Sequence, residues 1–351
     1  MKKLVFAALA IGAMAACTKS NVQFEQPGEI SFQPVAQKAT KAAVDGAVYP
    51  TTEKFNVWAW WGDNAATVDA TYSEFTSQYI SEGTFSNKSD NIWGGTPTSY
   101  YWPTTGSLVF AGYSPASAKT EGTFAYDLTN KKFTVTNYKQ SSDPAATKDL
   151  MWFDVTSNSY NTRKQTGSPV TQVTVGEGVP VTFKHALSWL SFKLNVVANN
   201  DLNKNWTVTS VTLNEIKTIG NCEATKSDAA VAVATWNFTD VTQEEEPMAV
   251  FNGSKEVEYK TEPDVIDNGG VVVIPQACTS VTITFTQKNY VGGSTPSQTI
   301  ELPLTAGSDG TAWLSGKHYI YTIVFSADEI LIAPTVADWD DVTVDDIPVQ
   351  Y

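Results

Sequence analysis

The sequence predicts an all-β protein with two domains, and three observations support this prediction. The chain has 351 residues, and because domains usually contain about 100–200 residues, this length favours two of them. Aromatic residues make up 12% of the chain and, together with frequent Thr and Val, favour strands. Short alternating segments recur between Gly, Pro, Asn and Asp, which is typical of a β-sandwich or barrel, and no segment keeps the apolar period of a long helix.

The first 17 residues are predicted to be an export signal rather than part of the fold. A basic start, MKK, precedes the apolar run LVFAALAIGAM, which is too short to cross a bilayer as a mature helix. The run leads into AAC, which is similar to a bacterial lipobox and predicts cleavage before Cys17 and lipid attachment to it, although Met14 stands where Leu is usual. The attached acyl chains would anchor the protein to the outer membrane. The alternative is an ordinary signal peptide with a chance cysteine.

Residues 18–41 are predicted to contain a tether, one strand and the start of a connector. The segment EISFQPVA places Ile30, Phe32 and Pro34 on one face of a half-buried strand. A proline in such a strand is typical of an edge or a bend. The Ala-rich connector that follows, QKATKAAVDG, contains two lysines and is a segment that a protease could cut.

The remaining strands fall into two series separated by a polar stretch, residues 156–180, which contains Arg163, the only arginine. We therefore predict an N-terminal β-sandwich over residues 42–170 and a C-terminal one over residues 171–351. The clearest strand segments are KFNVWAWWGD, YYWPTTGSLVFAGYSP, KKFTVTNY and DLMWFDV in the first series, and VPVTFKHALSWLSFKLNV, WTVTSVTLNEI, SVTITFTQ and KHYIYTIVF in the second.

The composition and the motifs argue against nucleic-acid binding and against catalysis. The net charge is -14, whereas phosphate binding needs clustered Lys and Arg. His185 and His318 have no Cys or second His at metal-ligand spacing, and the sequence contains no phosphate-binding loop and no nucleophile elbow. We therefore expect no enzyme, no cofactor and no metal. A hydrolase would require two or more carboxylates from distant positions to converge in one pocket.

Two other features, an acidic segment and two cysteines, give no functional prediction. The acidic segment ADWDDVTVDD could bind calcium, but it lacks the spacing and the turn glycine of a calcium loop, so a solvated acidic edge is favoured. Cys222 and Cys278 fit no metal motif, and whether an exported protein would pair them stays open.

The 11 tryptophans raise the possibility of a sugar-binding platform, because a flat indole suits the face of a pyranose. However, the segment VWAWW alternates as a strand buried on both faces would, which favours a role in the core. The exposure of four tryptophans decides between these readings, because a platform needs several of them on one contiguous face. They are Trp58, Trp60, Trp93 and Trp102.

Six phrases in a fixed order resemble the fimbrillin-like family, the type V pilins and related lipoproteins of Bacteroidales. The phrases are YYWPTTGSLVFAGYSP, KDLMWFD, VPVTFKHALSWLSFKL, VVVIPQ, GKHYIYTIVF and VADWDD. The resemblance covers nearly the whole chain. It implies two transthyretin-like β-sandwich domains in tandem, no catalysis, and assembly into surface fibres that support adhesion.

The resemblance also implies that a trypsin-like surface protease removes an N-terminal segment with its first strand. The family cut usually follows an arginine just after that strand, and Lys41 matches this position best, with Lys38 second. Lysine in place of arginine puts an arginine-specific protease in doubt but suits one that accepts lysine. The removable strand would contain Ile30 and Phe32, and its loss would leave an edge that another subunit's strand fills.

Family precedent places that donor strand in the segment DDVTVDDIPVQY. Its apolar residues change parity at Asp345 and Asp346, so we expect a bend or bulge there and two short donor segments. The alternative is that this segment is the last strand of its own domain. The predicted donor residues are Val342, Val344, Ile347, Val349 and Tyr351.

The resemblance therefore predicts a structural or accessory subunit of a fimbrium at the cell surface. The expected partners are other fimbrial subunits, in a homo- or hetero-polymer, the outer membrane through the lipid, the trypsin-like protease, and a host or bacterial surface ligand. Shaft, tip and anchor positions stay open. The alternative function is a monomeric surface lipoprotein that binds glycans.

Overall fold

The computed structural model of the chain describes residues 28–36, 49–62, 72–89, 91–160, 171–173, 178–197, 205–226, 233–242, 245–263, 265–266, 270–288, 296–326 and 330–338. Within these residues the regular structure consists of β-strands and two short 3-10 helices, Ala116–Thr120 and Gly307–Asp309, so the predicted all-β class is confirmed. No helix in the described part of the chain is long and apolar enough to span a membrane.

Twenty strands account for most of the described chain. The first ten are β1 (Ser31–Ala36), β2 (Lys54–Gly62), β3 (Ser77–Ser89), β4 (Ile92–Gly95), β5 (Ser107–Ser114), β6 (Thr123–Asp127), β7 (Lys132–Lys139), β8 (Met151–Tyr160), β9 (Thr171–Val173) and β10 (Val179–His185). The other ten are β11 (Ser188–Val196), β12 (Asn205–Lys217), β13 (Ile219–Thr225), β14 (Thr235–Asn237), β15 (Glu245–Val257), β16 (Val271–Val273), β17 (Ser280–Lys288), β18 (Gln298–Pro303), β19 (Lys317–Phe325) and β20 (Ile330–Asp338).

Eight of the first ten strands form one strongly curved sheet in the order β10-β1-β4-β3-β2-β5-β8-β9. Because β10 also pairs with β8, seven of these strands close into a ring, and β9 extends β8 beside it. The inward side chains of the ring form an aromatic core that includes Phe55, Phe85, Phe110 and Trp93. Strands on both sides of the predicted boundary at residue 170 share this sheet, and residues 161–170 lie outside the described part, so the boundary stays a prediction.

The second half forms two four-stranded sheets that pack face to face. Their strand orders are β16-β11-β19-β20 and β15-β12-β17-β18. Alternate residues of β11, β12, β17 and β19 point into a shared apolar core, as the period of two along a strand requires. This half is the β-sandwich that the sequence predicts, and two main cores in succession are consistent with two domains in tandem.

A fourth sheet, β14-β13-β7-β6, joins the two halves of the chain. It packs on the outer face of the first sheet, and a third core between them holds Trp58, Phe133, Trp152 and Cys222. The rings of Phe133 and Trp152 stack with centroids 5.9 Å apart. Since β7 pairs with β13 across the halves, a hydrogen-bonded sheet connects them in addition to the chain itself.

We predict that Phe133→Ala lowers the free energy of unfolding by about 3–5 kcal/mol, because it opens a cavity in the core between the halves. Urea unfolding followed by tryptophan fluorescence measures the loss. Thr136→Ala, at an exposed position of the same strand, is the matched control and should change the midpoint little. Equal effects of the two substitutions would contradict the assigned core.

Candidate assembly groove

Strand β1 completes the ring of the first sheet, and the place that it fills between β4 and β10 is called the assembly groove below. It pairs in parallel with β10 over five residue pairs, from Phe32–Val179 to Ala36–Phe183. On its other side it pairs antiparallel with β4 through Ser31–Gly94 and Phe32–Trp93. Because both neighbours hold β1 by main-chain pairing, its removal would leave two unpaired strand edges facing each other.

The backbone just before β1 is also held on one side. The Ile30 N–H donates to the Tyr100 carbonyl at 2.7 Å, and the Trp102 N–H donates to the Gly28 carbonyl at 3.0 Å. Between them, Glu29 forms a single antiparallel bridge with Tyr101. The pairing therefore begins at residue 28, before the regular strand, and the groove extends over the nine residues 28–36.

The side chains of β1 fill the centre of the first core. Ile30 and Phe32 are both 0% exposed, and Pro34 is buried as well. The ring of Phe32 makes edge-to-face contacts with three other rings, at centroid distances of 4.8 Å to Phe85, 5.2 Å to Phe110 and 5.7 Å to Phe55. Such contacts each add to the hydrophobic gain of burial, so Phe32 is the main apolar anchor of β1.

The wall formed by β10 fits closely against β1. A Cβ at Gly178 would lie 2.4 Å from the carbonyl carbon of Phe32 and 2.6 Å from the nitrogen of Gln33. A glycine is therefore required where β10 begins, because any side chain would collide with the β1 backbone. Alternation along VPVTFKH indicates a strand, but no sequence signal pairs it with β1, so sequence reasoning missed Gly178.

The far end of β10 is fastened to β8 independently of β1. Lys184 and His185 pair with Trp152 and Met151 of β8. The buried His185 ring places its Nδ1 3.0 Å from the Asp149 carboxylate. Because these contacts lie beyond the last β1 pair at Phe183, β10 keeps a partner when β1 is absent.

The other sequence-predicted site residues lie outside the described part of the chain. The two lysines follow soon after Ala36, the end of β1, and the predicted donor residues follow Asp338, the end of β20. These residues are Cys17, Lys38, Lys41, Val342, Val344, Ile347, Val349 and Tyr351.

The four tryptophans that a sugar platform would need do not lie on an exposed face. Trp58, Trp93 and Trp102 are buried, and Trp60 is half-buried against the third core and against a smaller apolar cluster that contains Phe75. The ten tryptophans that the structure describes are all buried or half-buried. The main sequence argument for the glycan-binding alternative is therefore lost.

The histidines and cysteines have separate surroundings in the fold. His318 stacks on Trp189 with centroids 3.4 Å apart, and burial lowers the pKa of its imidazole to about 4. Cys222 and Cys278 are free thiols, and burial raises the pKa of the Cys278 thiol to about 11. Among the described residues, no three His, Cys, Asp or Glu side chains come together in a way that could hold a metal ion.

Comparisons with known proteins agree with the resemblance in the sequence. The model of a family described as fimbrillin-like matches residues 40–339. A crystal structure of a fimbrial protein from Bacteroides vulgatus superposes with a TM-score of 0.57 at 13% identity, covering 88% of this chain and 99% of that one, and this similarity shows a shared fold. A search of curated proteins gave no match.

Two further solved structures align with lower scores. A fimbrial assembly protein from Parabacteroides distasonis has a TM-score of 0.38 at 12% identity, covering 88% of this chain and 98% of that one. A tip fimbrial protein from Porphyromonas gingivalis, with a C-terminal truncation, has a TM-score of 0.35 at 11% identity, covering 89% and 100%. The fold similarity rests on the first structure.

We predict that Phe32→Ala lowers the free energy of unfolding of the uncut protein by about 3–5 kcal/mol, since it leaves a cavity among three aromatic rings. Gln33→Ala, at the next and exposed position of β1, is the matched control and should cost less than about 0.5 kcal/mol. Urea unfolding curves of the two variants test this difference. A Phe32→Ala midpoint equal to that of Gln33→Ala would show that β1 does not anchor the core.

Proposed function

Because this chain belongs to the fimbrillin-like family, we propose that it is a non-catalytic subunit of a surface fimbrium that assembles by protease-triggered strand exchange. The observation that carries the proposal is the position of β1, which is buried at the centre of the first core and is yet followed at once by a lysine-bearing connector. A strand that contributes so much to its core would not be expected beside a cleavable segment if it had to stay in place. Both features are explained if β1 is removed during assembly.

Export would use the leader, and the lipid on Cys17 would hold the precursor at the outer membrane. Residues 18–27 then link the lipid to β1, so a cut after β1 separates the anchor from the rest of the subunit. Release from the membrane and opening of the assembly groove thus depend on one cleavage. The expected location of the product is the fimbrium on the cell surface, among other fimbrial subunits.

The cut would follow Lys41, or Lys38 as the second choice. Both lysines lie beyond Ala36, the last residue paired with β10, so cleavage there would leave the described pairing of β1 with β10 intact. Cleavage does change how well β1 competes with a strand from another chain for the groove. While β1 is tethered, its effective concentration at the groove is on the order of millimolar, and a strand from another chain cannot compete with it. After the cut, β1 can dissociate for good.

The vacated groove would accept a donor strand from another subunit. Without β1, the β10 and β4 edges lose their main-chain partners, and the three phenylalanine rings around Phe32 become accessible to water. Both losses are reversed when an extended segment with alternating apolar residues enters, which is β-augmentation. The join is heterologous, so repetition builds a fibre rather than a closed ring.

The donor strand would come from the tail, defined here as residues 339–351. It contains two alternating apolar segments, one with Val342 and Val344 and one with Ile347, Val349 and Tyr351. The tail follows β20, which is the edge strand of the second sandwich. Because β20 has a neighbour on one side only, a segment that continues from it need not lie between two strands of that sheet.

We predict that brief treatment with a lysine-cleaving protease removes the segment ending at Lys38 or Lys41 and produces a ladder of multimers. The measurement uses Cys17→Ser protein that lacks the leader, intact mass, and a denaturing gel without boiling. A Lys38→Gln, Lys41→Gln double variant is the control and should give neither product. A ladder from the double variant, or a monomer after complete cleavage, would contradict the proposal.

Removal of residues 340–351 should abolish the ladder after cleavage, because the donor strand is then missing. The thermal midpoint of the uncut truncated protein should stay within a few degrees of the parent, since the tail is not needed for its own domain. A truncated protein that still polymerises refutes the donor role. A large fall in the midpoint instead supports the alternative that the tail is the last strand of its own domain.

A further inference from the structure

One ion pair joins the two strands whose pairing closes the ring of the first sheet. The Lys184 ammonium group of β10 lies 2.5 Å from a carboxylate oxygen of Asp154 in β8. Lys184 is paired with Trp152 in the strand ladder, and Asp154 follows Trp152 two residues further along β8. The contact therefore runs diagonally across the two strands, on the face of the sheet that carries Trp152 and the third core.

The carboxylate of Asp154 is only partly satisfied. Its Oδ2 accepts a hydrogen bond from Lys184, whereas its Oδ1 is buried and has no hydrogen-bond partner among the described residues. A buried anionic oxygen without a donor costs free energy, because it has lost its hydration and has gained no hydrogen bond in exchange. The same oxygen would cost less as the carbonyl oxygen of a neutral amide.

The lysine is held in place by its surroundings. The side chains of Lys184 and Asp154 are only 22% and 21% exposed. The Lys184 nitrogen also lies 5.3 Å from the centre of the fully buried Trp152 ring, in a cation–π contact. The ring and the carboxylate together restrain a side chain that would otherwise move freely, so the nitrogen stays beside the carboxyl group.

A β-bulge holds the aspartate from the other side. Asp154 and Val155 stand together opposite the single residue Ala111 of β5. The carbonyl of Val155 accepts a hydrogen bond from the Lys226 ammonium group at 3.0 Å, which fastens the bulge to β13. Bulges redirect side chains and are frequent beside functional sites. Here the bulge presents the Asp154 carboxyl group to Lys184.

A tyrosine hydroxyl from the fourth sheet lies near the same carboxyl group. Burial raises the pKa of the Tyr126 hydroxyl, and the negative charge of Asp154 raises it further, so this hydroxyl keeps its proton at neutral pH. The hydroxyl is buried and makes no hydrogen bond of normal geometry to a described residue. Tyr126 is therefore a neutral proton donor beside the ion pair.

We propose that Lys184 and Asp154 form an intramolecular amide bond in the folded protein. Proton transfer within the ion pair gives a neutral amine beside a neutral carboxylic acid, and the Lys184 nitrogen then bonds to the carboxyl carbon of Asp154. The bond from this carbon to one oxygen breaks, and the oxygen leaves as water with two of the three ammonium protons. Atoms and charges balance without an oxidant or a cofactor. Tyr126 is a positioning residue that donates to the carboxyl oxygens as the bond forms.

The fold supplies the proximity that this reaction needs. Two reacting groups held in contact behave as if their effective concentration were very high, because the entropy of their encounter has already been lost in folding. Lys184 and Asp154 are 30 residues apart in the chain, and the pairing of β10 with β8 brings them together. The bond therefore forms after folding and only in the native register.

The bond would make the closure of the first sheet covalent. β10 is one wall of the assembly groove, and the link would join it to β8 beyond the last pair with β1. Such a cross-link also restricts the unfolded chain, as a disulfide does. This inference goes beyond the proposed function and does not depend on it, since it requires neither cleavage nor a second copy.

Intact mass tests the bond directly. Cys17→Ser protein that lacks the leader should be lighter than its sequence by one water molecule. Lys184→Arg keeps a cation beside Asp154, but a guanidinium group does not form the amide, so this variant should have the full mass of its sequence. Lys148→Arg is the matched control, because Lys148 forms a similar ion pair with Glu121 at 2.6 Å, and it should keep the loss of water.

A peptide map locates the bond and separates it from other losses of water. Succinimide formation at Asp45 or Asp309, each of which precedes a glycine, also removes one water molecule but joins no two peptides. Trypsin does not cut after an acylated lysine, so the parent should release residues 149–163 joined to residues 165–193. Lys184→Arg should instead release residues 149–163 and 165–184 as separate peptides.

The outcomes decide the inference without reference to assembly. A parent that keeps the full mass of its sequence after prolonged incubation at neutral pH overturns it, and so does a loss of water that persists in Lys184→Arg. The joined peptide in the parent, absent from Lys184→Arg, supports it. Tyr126→Phe should lose water more slowly than the parent in a time course of intact mass. An equal rate would show that the Tyr126 hydroxyl has no part in the step.

Discussion

The parallel pairing between β1 and β10 closes the first sheet, and much of the molecule depends on that closure. Five residue pairs and a glycine at the start of β10 bring the two backbones together. The closure encloses an aromatic core in which Phe32 touches three rings. A strand of six residues thus completes a closed sheet whose other members come from residues 54–185.

The remainder of the fold supports the strands on either side of β1 through contacts that do not involve it. β10 is fastened to β8 beyond its last pair with β1 and continues into the second sandwich. The sheet shared by β7 and β13 holds the two halves together on the opposite face of β2, β5 and β8. The proposed strand exchange would depend on this support, because β4 and β10 would otherwise lose their positions once β1 is removed.

Much of this architecture could be predicted from the sequence, since alternation of apolar residues reports burial directly. The alternation in residues 29–36 predicts a half-buried strand with Ile30 and Phe32 inside, and both are fully buried. The alternation in VWAWW predicts burial on both faces, and Trp58 lies in the third core while Val57 lies in the first. The cleavage site, the lipid site and the donor role of the tail stay predictions, because they concern residues outside the described part of the chain.

The sequence by itself determined that segments such as β1 and β2 are strands and which of their faces are apolar, because these properties depend on residues close together in the chain. Strands β3, β13 and β15 lie in no predicted segment. Only the tertiary structure decided that β1 lies between β4 and β10, that β7 pairs with β13, and that Gly178 must be a glycine. Strand partners are chosen by contacts between distant segments, and many pairings satisfy the same alternation. The physical reason is that a pattern of period two fixes the face of a strand but carries no information about its neighbour.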